Sequence, residues 1–248
     1  YGYNGQNVDG TTSSLVLQAI CRLLGHGDLI DYHIPDRFSE GYGFSIQAAQ
    51  KAIQEKVDLI ITADIGVRNH KSVETAVAGG VDVLICDHHL PPGESVPKGA
   101  CAVLCPPQIG CTYPNPGLAA CGVSFKLAQA LLCNHPTYKN DPERQHRVYS
   151  SLLKVVAIGT VADIVPLCSL ENRAIVSLGI RELRKPLRNH SIGLRALLES
   201  CGLVDGWIDT TSIGFQLAPR INAAGRLRLA TDVIDLFLSK DLPQARKM

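Results

Sequence analysis

No apolar stretch in this chain approaches the ~20 residues that a membrane-spanning helix requires, so a helical membrane protein is excluded at the outset. Aromatic residues make up only 5% of the sequence, which leaves few platforms on which unpaired bases could stack. An excess of charge is missing too. The 24 Lys and Arg against 23 Asp and Glu leave a net charge of +1, a balance compatible with nucleic acid or small anions, because distribution decides rather than the sum. The nine cysteines are many but odd in number, and none form a CxxC pair. Cys101, Cys105, Cys111 and Cys121 are separated by three, five and nine residues, which is not a structural zinc pattern. With no leader peptide and no paired spacing of a secreted disulfide scaffold, they are expected to be small buried thiols in a reducing cytoplasm.

What is present is an ordered set of acids. Three runs of β-formers, Val57–Asp64 (VDLIITAD), Val81–His89 (VDVLICDHH) and Val155–Asp163 (VVAIGTVAD), each end on an acid or an acid-histidine cluster. Carboxylates gathered at strand ends repel one another unless cations sit among them, which points to a metal site. The first two runs flank a helix-like stretch, residues 69–79, as successive βα units of a sheet buried on both faces do. Such sheets bind ligands beyond the carboxyl ends of their strands. Asp64, Asp87, His88 and Asp163 would project there.

The 248 residues, 46% of them hydrophobic, suffice for a full core. Periodicity predicts helices over residues 11–24, after a loop around Asp9 and Gly10, and over 46–56, 118–133 and 149–158. A short strand is expected at 29–34, and another at 101–104 within a loop whose span from Pro91 to Pro116 holds seven prolines. Residues 134–147 read as a surface loop. After Asp163 the pattern turns to helices, 172–184, 193–201 and 231–239, with no convincing strand. The expected fold class is therefore α/β: a parallel sheet with helices on both faces over residues 1–170, followed by a mostly helical segment over 171–248. Between Arg173 and Arg228 nine basic residues face four acids, so this second part carries a basic surface.

Asp87-His88-His89 is the triplet that names the DHH phosphoesterases, and it stands among longer matching pieces. These are IPDRFSEGYGF (34–44), DLIITADIGV (58–67), GLAACGVSFKLAQALL (117–132), IGTVADIVPL (158–167) and IGFQLAPRINAAGRL (213–227). In order and extent they resemble the RecJ-like branch, single-strand-specific exonucleases, and the last piece sets the chain apart from the pyrophosphatase and small-oligonucleotide branches. The resemblance implies hydrolysis of phosphodiesters with two divalent ions, Mn2+ or Mg2+. It implies that Asp64 bridges the ions and that Asp9, His88 and Asp163 complete one of them. His89 would face the scissile phosphate, and Asp87 would orient the histidines from behind. Arg220, Asn222 and Arg226 are implied to grip the DNA backbone, and Arg37 the 5' terminal phosphate.

The first motif departs from the family. A His and then Asp-Tyr-Asp-x-Asp-Gly is the usual form, whereas this chain reads Tyr3-Asn4-Gly5-Gln6-Asn7-Val8-Asp9-Gly10. Tyr3 takes the place of the metal-binding His, Gly5 that of the first Asp and Asn7 that of the middle one. Asn7 offers a neutral oxygen without charge. One ion is thus expected to keep its ligands and the other to be depleted. The chain opens on Tyr1, with no apolar strand expected before the first motif, and reads as a fragment.

The function expected is 5' to 3' hydrolysis of single-stranded DNA in repair and recombination, with single-strand-binding protein or a helicase as partners and no membrane. The alternative is a catalytically impaired scaffold that binds DNA or a partner.

Overall fold

The computed structural model describes residues 2–4, 7–35, 43–93, 95–205, 207–227 and 231–248, and the side chains of all these except residues 2–4 and 225–227. Five strands, β1 (Gly2–Asn4), β2 (Tyr32–His33), β3 (Leu59–Ala63), β4 (Asp82–Cys86) and β5 (Ala102–Leu104), form one parallel sheet in the order β2-β1-β3-β4-β5. Alternation along the strands assigns the two faces. Ile60, Val83 and Ile85 pack with Ala48, Ala49 and Ala52 of α2 (Ile46–Gln54) and with Val73 and Ala76 of α3 (His70–Ala78). On the other face, Ile61, Leu84 and Cys86 pack beneath α1 (Val8–Leu23), α4 (Ala120–Asn134) and α5 (Pro142–Ala162). Each fully buried Ile or Leu contributes ~1.5–3 kcal/mol.

This arrangement fixes where a ligand can bind. From β1 the chain crosses by α1 to β2 on one side, while β3 leads to β4 and β5 on the other. The order therefore reverses between β1 and β3, and the crevice at the carboxyl ends of that pair is the place such sheets use for binding.

Four sequence expectations need correction. Residues 155–163 are no strand but the end of α5, a buried helix whose apolar run looks alike in either conformation. Asp9 lies in the first turn of α1 rather than in a loop, because Asn7 caps the helix and starts it three residues earlier than expected, its Oδ1 accepting from the Gly10 N–H at 2.6 Å. The first motif has its strand: Gly2–Asn4 pairs with β2 and β3. Finally, the surface loop 134–147 is shorter, since Asp141 caps α5 and Pro142 begins it.

The helical part comprises α6 (Leu170–Leu183), α7 (Ile192–Ser200), α8 (Thr210–Ser212), a π-helical turn (Ile213–Leu217), α9 (Ala218–Leu227), α10 (Thr231–Leu238) and α11 (Leu242–Lys247). Its core shares Val8 of α1 and Ile158 of α5 with Leu194, Leu198, Ile213 and Leu217. The π turn ends two residues before Pro219, whose ring cannot seat against the carbonyl four residues back in a regular α-helix.

Candidate metal centre

Asp64 follows β3 by one residue, its N–H still bonded to the Cys86 carbonyl at 2.9 Å. Its φ of +64° is a left-handed conformation that Asp tolerates better than bulkier residues and that turns its carboxylate across the strand ends. The turn requires Gly66 at φ +120°, where a Cβ would overlap the Thr62 hydroxyl. The Asp64 side chain is 1% exposed, and among the described residues no backbone N–H donates to it; it faces the His88 imidazole, whose Nε2 lies 3.2 Å from Oδ1. Burying a carboxylate with so few donors is costly, and burial pushes this one up to about 7, against the opposing pull of His88.

Asp9 has the opposite environment. Helix α4 begins after Ala119, which has no side-chain acceptor for the helix's first N–H groups. The Asp9 carboxylate takes that role from across the fold, Oδ2 accepting from the Ala120 N–H at 2.7 Å and Oδ1 from the Cys121 N–H at 2.9 Å.

His88 stands between the acids. Its Nε2 lies 3.2 Å from Asp64 Oδ1 and 3.7 Å from Asp9 Oδ2, and its Nδ1 lies 3.6 Å from Asp163 Oδ2. Burial opposes its charge, but Asp64, Asp9 and Asp163 outweigh that and push its pKa up to about 9. Asp163, at the C-terminal cap of α5, is pushed up to about 6 by burial and by Asp9.

Asp87 faces a different way. Its Oδ1 accepts from the backbone N–H groups of His88 (2.8 Å) and His89 (3.1 Å) and from His89 Nδ1 (2.7 Å), while Oδ2 accepts from the Val67 N–H (3.0 Å). Burial alone would raise its pKa; these donors lower it instead. The Asp87 carboxylate raises the pKa of His89 in turn, and fixing Nδ1–H on Asp87 leaves Nε2 as the free end of the ring.

Two overlapping groups thus bring donor atoms within 4.8 Å of one another: Asp9, His88 and Asp163, and Asp64, His88 and His89. The orphaned Asp64 oxygens and the mixed carboxylate-imidazole donor set fit a divalent ion of the manganese kind. A cavity of about 250 Å³ opens beside them, lined by Asn7, Gly43, Asp64, Gly66, Arg68, Asn69, Asp87 and His89. Sequence reasoning missed Arg68, whose Nε donates to the Leu90 carbonyl at 3.0 Å on that wall. It also missed the α4 N-terminus as the holder of Asp9, for which an Ala in the capping position was the available signal.

The other expected residues are not drawn into this cluster. Asn7 lines the cavity, but its Oδ1 is engaged as the α1 cap. Arg220 is exposed on α9, with Nη1 donating to the Gln216 carbonyl at 2.9 Å, and Asn222 is half-buried on the same helix. Arg37 and the side chains of Tyr3 and Arg226 lie outside the described residues. All nine cysteines are free thiols. Among the described residues, no helix is long and apolar enough to cross a membrane.

Comparison with known proteins adds to this geometry. Residues 1–160 match the DHH family, N-terminal domain. The chain is 40% identical over 247 residues to the single-stranded-DNA-specific exonuclease RecJ of Bacillus subtilis, covering 99% of this chain and 29% of that protein. The RecJ of Escherichia coli is 36% identical over 246 residues, covering 97% and 41%. Among solved structures, exonuclease RecJ bound to manganese superposes with a TM-score of 0.82 at 29% identity, over 99% of this chain and 58% of that one. RecJ from Thermus thermophilus in complex with Mn2+ gives a TM-score of 0.77 at 28% identity, over 99% and 33%. The chain therefore spans well under half the length of the curated relatives named here.

Proposed function

The chain belongs to the DHH family, and from that premise we propose that it hydrolyses phosphodiester bonds of single-stranded DNA from the 5' end, as a RecJ-like exonuclease dependent on divalent metal. The observation that carries this reading is the convergence of Asp9, Asp64, His88 and Asp163, from four separate segments, on one point at the sheet's switch crevice.

These four residues would hold Mn2+ or Mg2+, His88 being the residue shared by the two donor groups. When bound, the ions supply water activation and neutralise charge developing on the phosphate. His89 would act as a positioned hydrogen-bond donor. Asp87 holds Nδ1–H at 2.7 Å, which leaves Nε2–H to donate to a non-bridging phosphate oxygen at the cavity. Asn7 adds only a neutral oxygen, so one position is stronger than the other.

Residues 1–170 are then the catalytic α/β part and 171–248 a helical extension. Arg220, Asn222 and Arg226 would lie along the DNA backbone, and Arg37 at its 5' phosphate. A reducing cytoplasm suits nine free thiols, with single-strand-binding protein or a helicase as partners in repair and recombination. The scaffold alternative rests on the substituted first motif alone. The test is cleavage of 5'-labelled single-stranded DNA in manganese by the protein and by its Asp64→Ala variant. Degradation by the first and none by the second supports the proposal; equal degradation refutes it.

A further inference from the structure

Asn172 is an unusual residue to find wholly buried in the first turn of a helix, because its side chain competes with the backbone for hydrogen bonds and a buried amide must find partners for every polar atom. Here every part of it is used. Its Nδ2 donates to the Gly117 carbonyl at 2.7 Å and to the Pro166 carbonyl at 3.0 Å, and its Oδ1 accepts from Asn115 Nδ2 at 2.9 Å. Asn115 in turn accepts the Gly117 N–H on Oδ1 at 3.2 Å and donates to Glu171 Oε2 at 3.2 Å. Glu171 is anchored by the Tyr113 hydroxyl at 2.7 Å and Lys126 Nζ at 3.2 Å.

The two carbonyls held by Asn172 belong to two backbone segments with one thing in common. Gly117 lies three residues before α4 begins at Ala120, whose N–H together with that of Cys121 grips the Asp9 carboxylate. Pro166 lies three residues beyond Asp163. Between them Ile164 sits at φ +58° with its side chain 88% exposed, a strained conformation for a β-branched residue that no burial of that side chain offsets. Something behind the loop must hold it. Asn172 does so, and Arg173 Nε adds a bond to the Leu167 carbonyl at 3.1 Å.

We infer that Asn172, supported by Asn115, is a positioning residue that sets the spacing of Asp9 and Asp163 by tying the segment that holds the one to the loop that carries the other. This rests on the metal reading above and deepens it. Only a carboxamide presents two donors and an acceptor on one short side chain. Asp would lose both donors, and Leu would keep the shape and lose every bond. Supporting residues of this kind set metal affinity by holding ligands to a fraction of an ångström.

The test compares Asn172→Leu, Asn172→Asp and the milder Asn115→Ala with Leu132→Ala, a cavity in the core near the far end of α4. Two quantities are read on each folded protein: the Mn2+ dissociation constant by calorimetry, and hydrogen exchange of the Ala120 and Cys121 amides without metal. The Asn172 variants should bind Mn2+ ~10–100-fold more weakly, with Asn115→Ala between them and the unsubstituted protein. All three should exchange the two amides faster, while Leu132→Ala, though less stable, stays within about twofold in affinity. Unchanged Mn2+ affinity and unchanged exchange in the Asn172 and Asn115 variants would overturn the inference. So would an equal loss of affinity in Leu132→Ala, since stability alone would then explain it. If the unsubstituted protein itself takes up no Mn2+, the proposed metal function fails, and amide exchange alone decides whether Asn172 fixes the Asp9 holder.

Discussion

Replacing Asp64 with Asn should raise the thermal stability of the metal-free protein, and replacing Asp9 with Ala should lower it, although both are proposed to hold the same ions. The difference lies in what each carboxylate touches. Asp64 is buried, and although His88 Nε2 lies 3.2 Å from its Oδ1, burial outweighs that pull and pushes its pKa up to about 7, so at pH 8 the ionised group works against the fold. An unsatisfied buried polar group costs ~1–3 kcal/mol, and more when charged; relieving about 2 kcal/mol corresponds to a rise in Tm of ~4–8 °C for a chain of this size. Asp9 instead satisfies two N–H groups at the start of α4. Losing two charge-assisted bonds of ~1.5–3 kcal/mol each, offset in part by water reaching the helix end, removes about 3 kcal/mol, or ~6–12 °C. Scanning calorimetry in EDTA at pH 8 reads both. Saturating Mn2+ should then stabilise the unsubstituted protein, by ~2.7 kcal/mol at a hundred times Kd, and leave Asp64→Asn where it was. If Asp64→Asn lowers Tm in EDTA as Asp9→Ala does, the Asp64 environment has been misread.

Other outcomes follow from the same geometry. The folded-state pKa values of Asp64 (about 7), Asp163 (about 6) and His88 (about 9) all lie above their ordinary values, so the native metal-free site binds protons more tightly than the unfolded chain. Its contribution to stability is present at low pH and is lost as pH rises from ~4 to ~9. Mn2+ must displace those protons, so its affinity should rise over the same interval, with proton release seen as buffer-dependent heats in calorimetry; a flat pH profile would contradict this. Asn7→Ala should cost ~1 kcal/mol as a lost helix cap yet change Mn2+ affinity little, whereas Tyr3→His with Asn7→Asp should add a second bound Mn2+ by atomic absorption. Arg220→Ala should weaken single-stranded DNA binding for all sequences alike and reduce the salt dependence of log Kd by about one phosphate contact, and an unchanged slope in a titration series would place Arg220 off the DNA path.

The parallel sheet was legible because β3 and β4 are apolar runs ending in acids, and the helices α2, α3, α6 and α7 because their apolar spacing survives in short amphipathic segments. Asp163 was placed on the wrong element: Val155–Ala162 is an apolar, largely buried run, and burial erases the periodicity that separates strand from helix. The cap role of Asp9 was not legible, since the acceptor for α4 comes from a residue more than a hundred positions away. Nor was Asn172, whose partners are two backbone carbonyls that carry no sequence signature and the amide of Asn115, 57 positions away. Local reading finds groups at strand ends, and Asp87 with the histidines beside it in sequence; it misses holders such as Asn172 that act on segments far away along the chain.

The central claim is that Asp9, Asp64, His88 and Asp163 form a divalent-metal site. Anomalous diffraction from crystals of the protein soaked in manganese tests it most directly. The account predicts a strong Mn2+ peak within ~2–2.6 Å of donor atoms from these four residues, at the carboxyl ends of β1 and β3. Manganese absent from that crevice at saturating concentration, or bound only elsewhere, would contradict it.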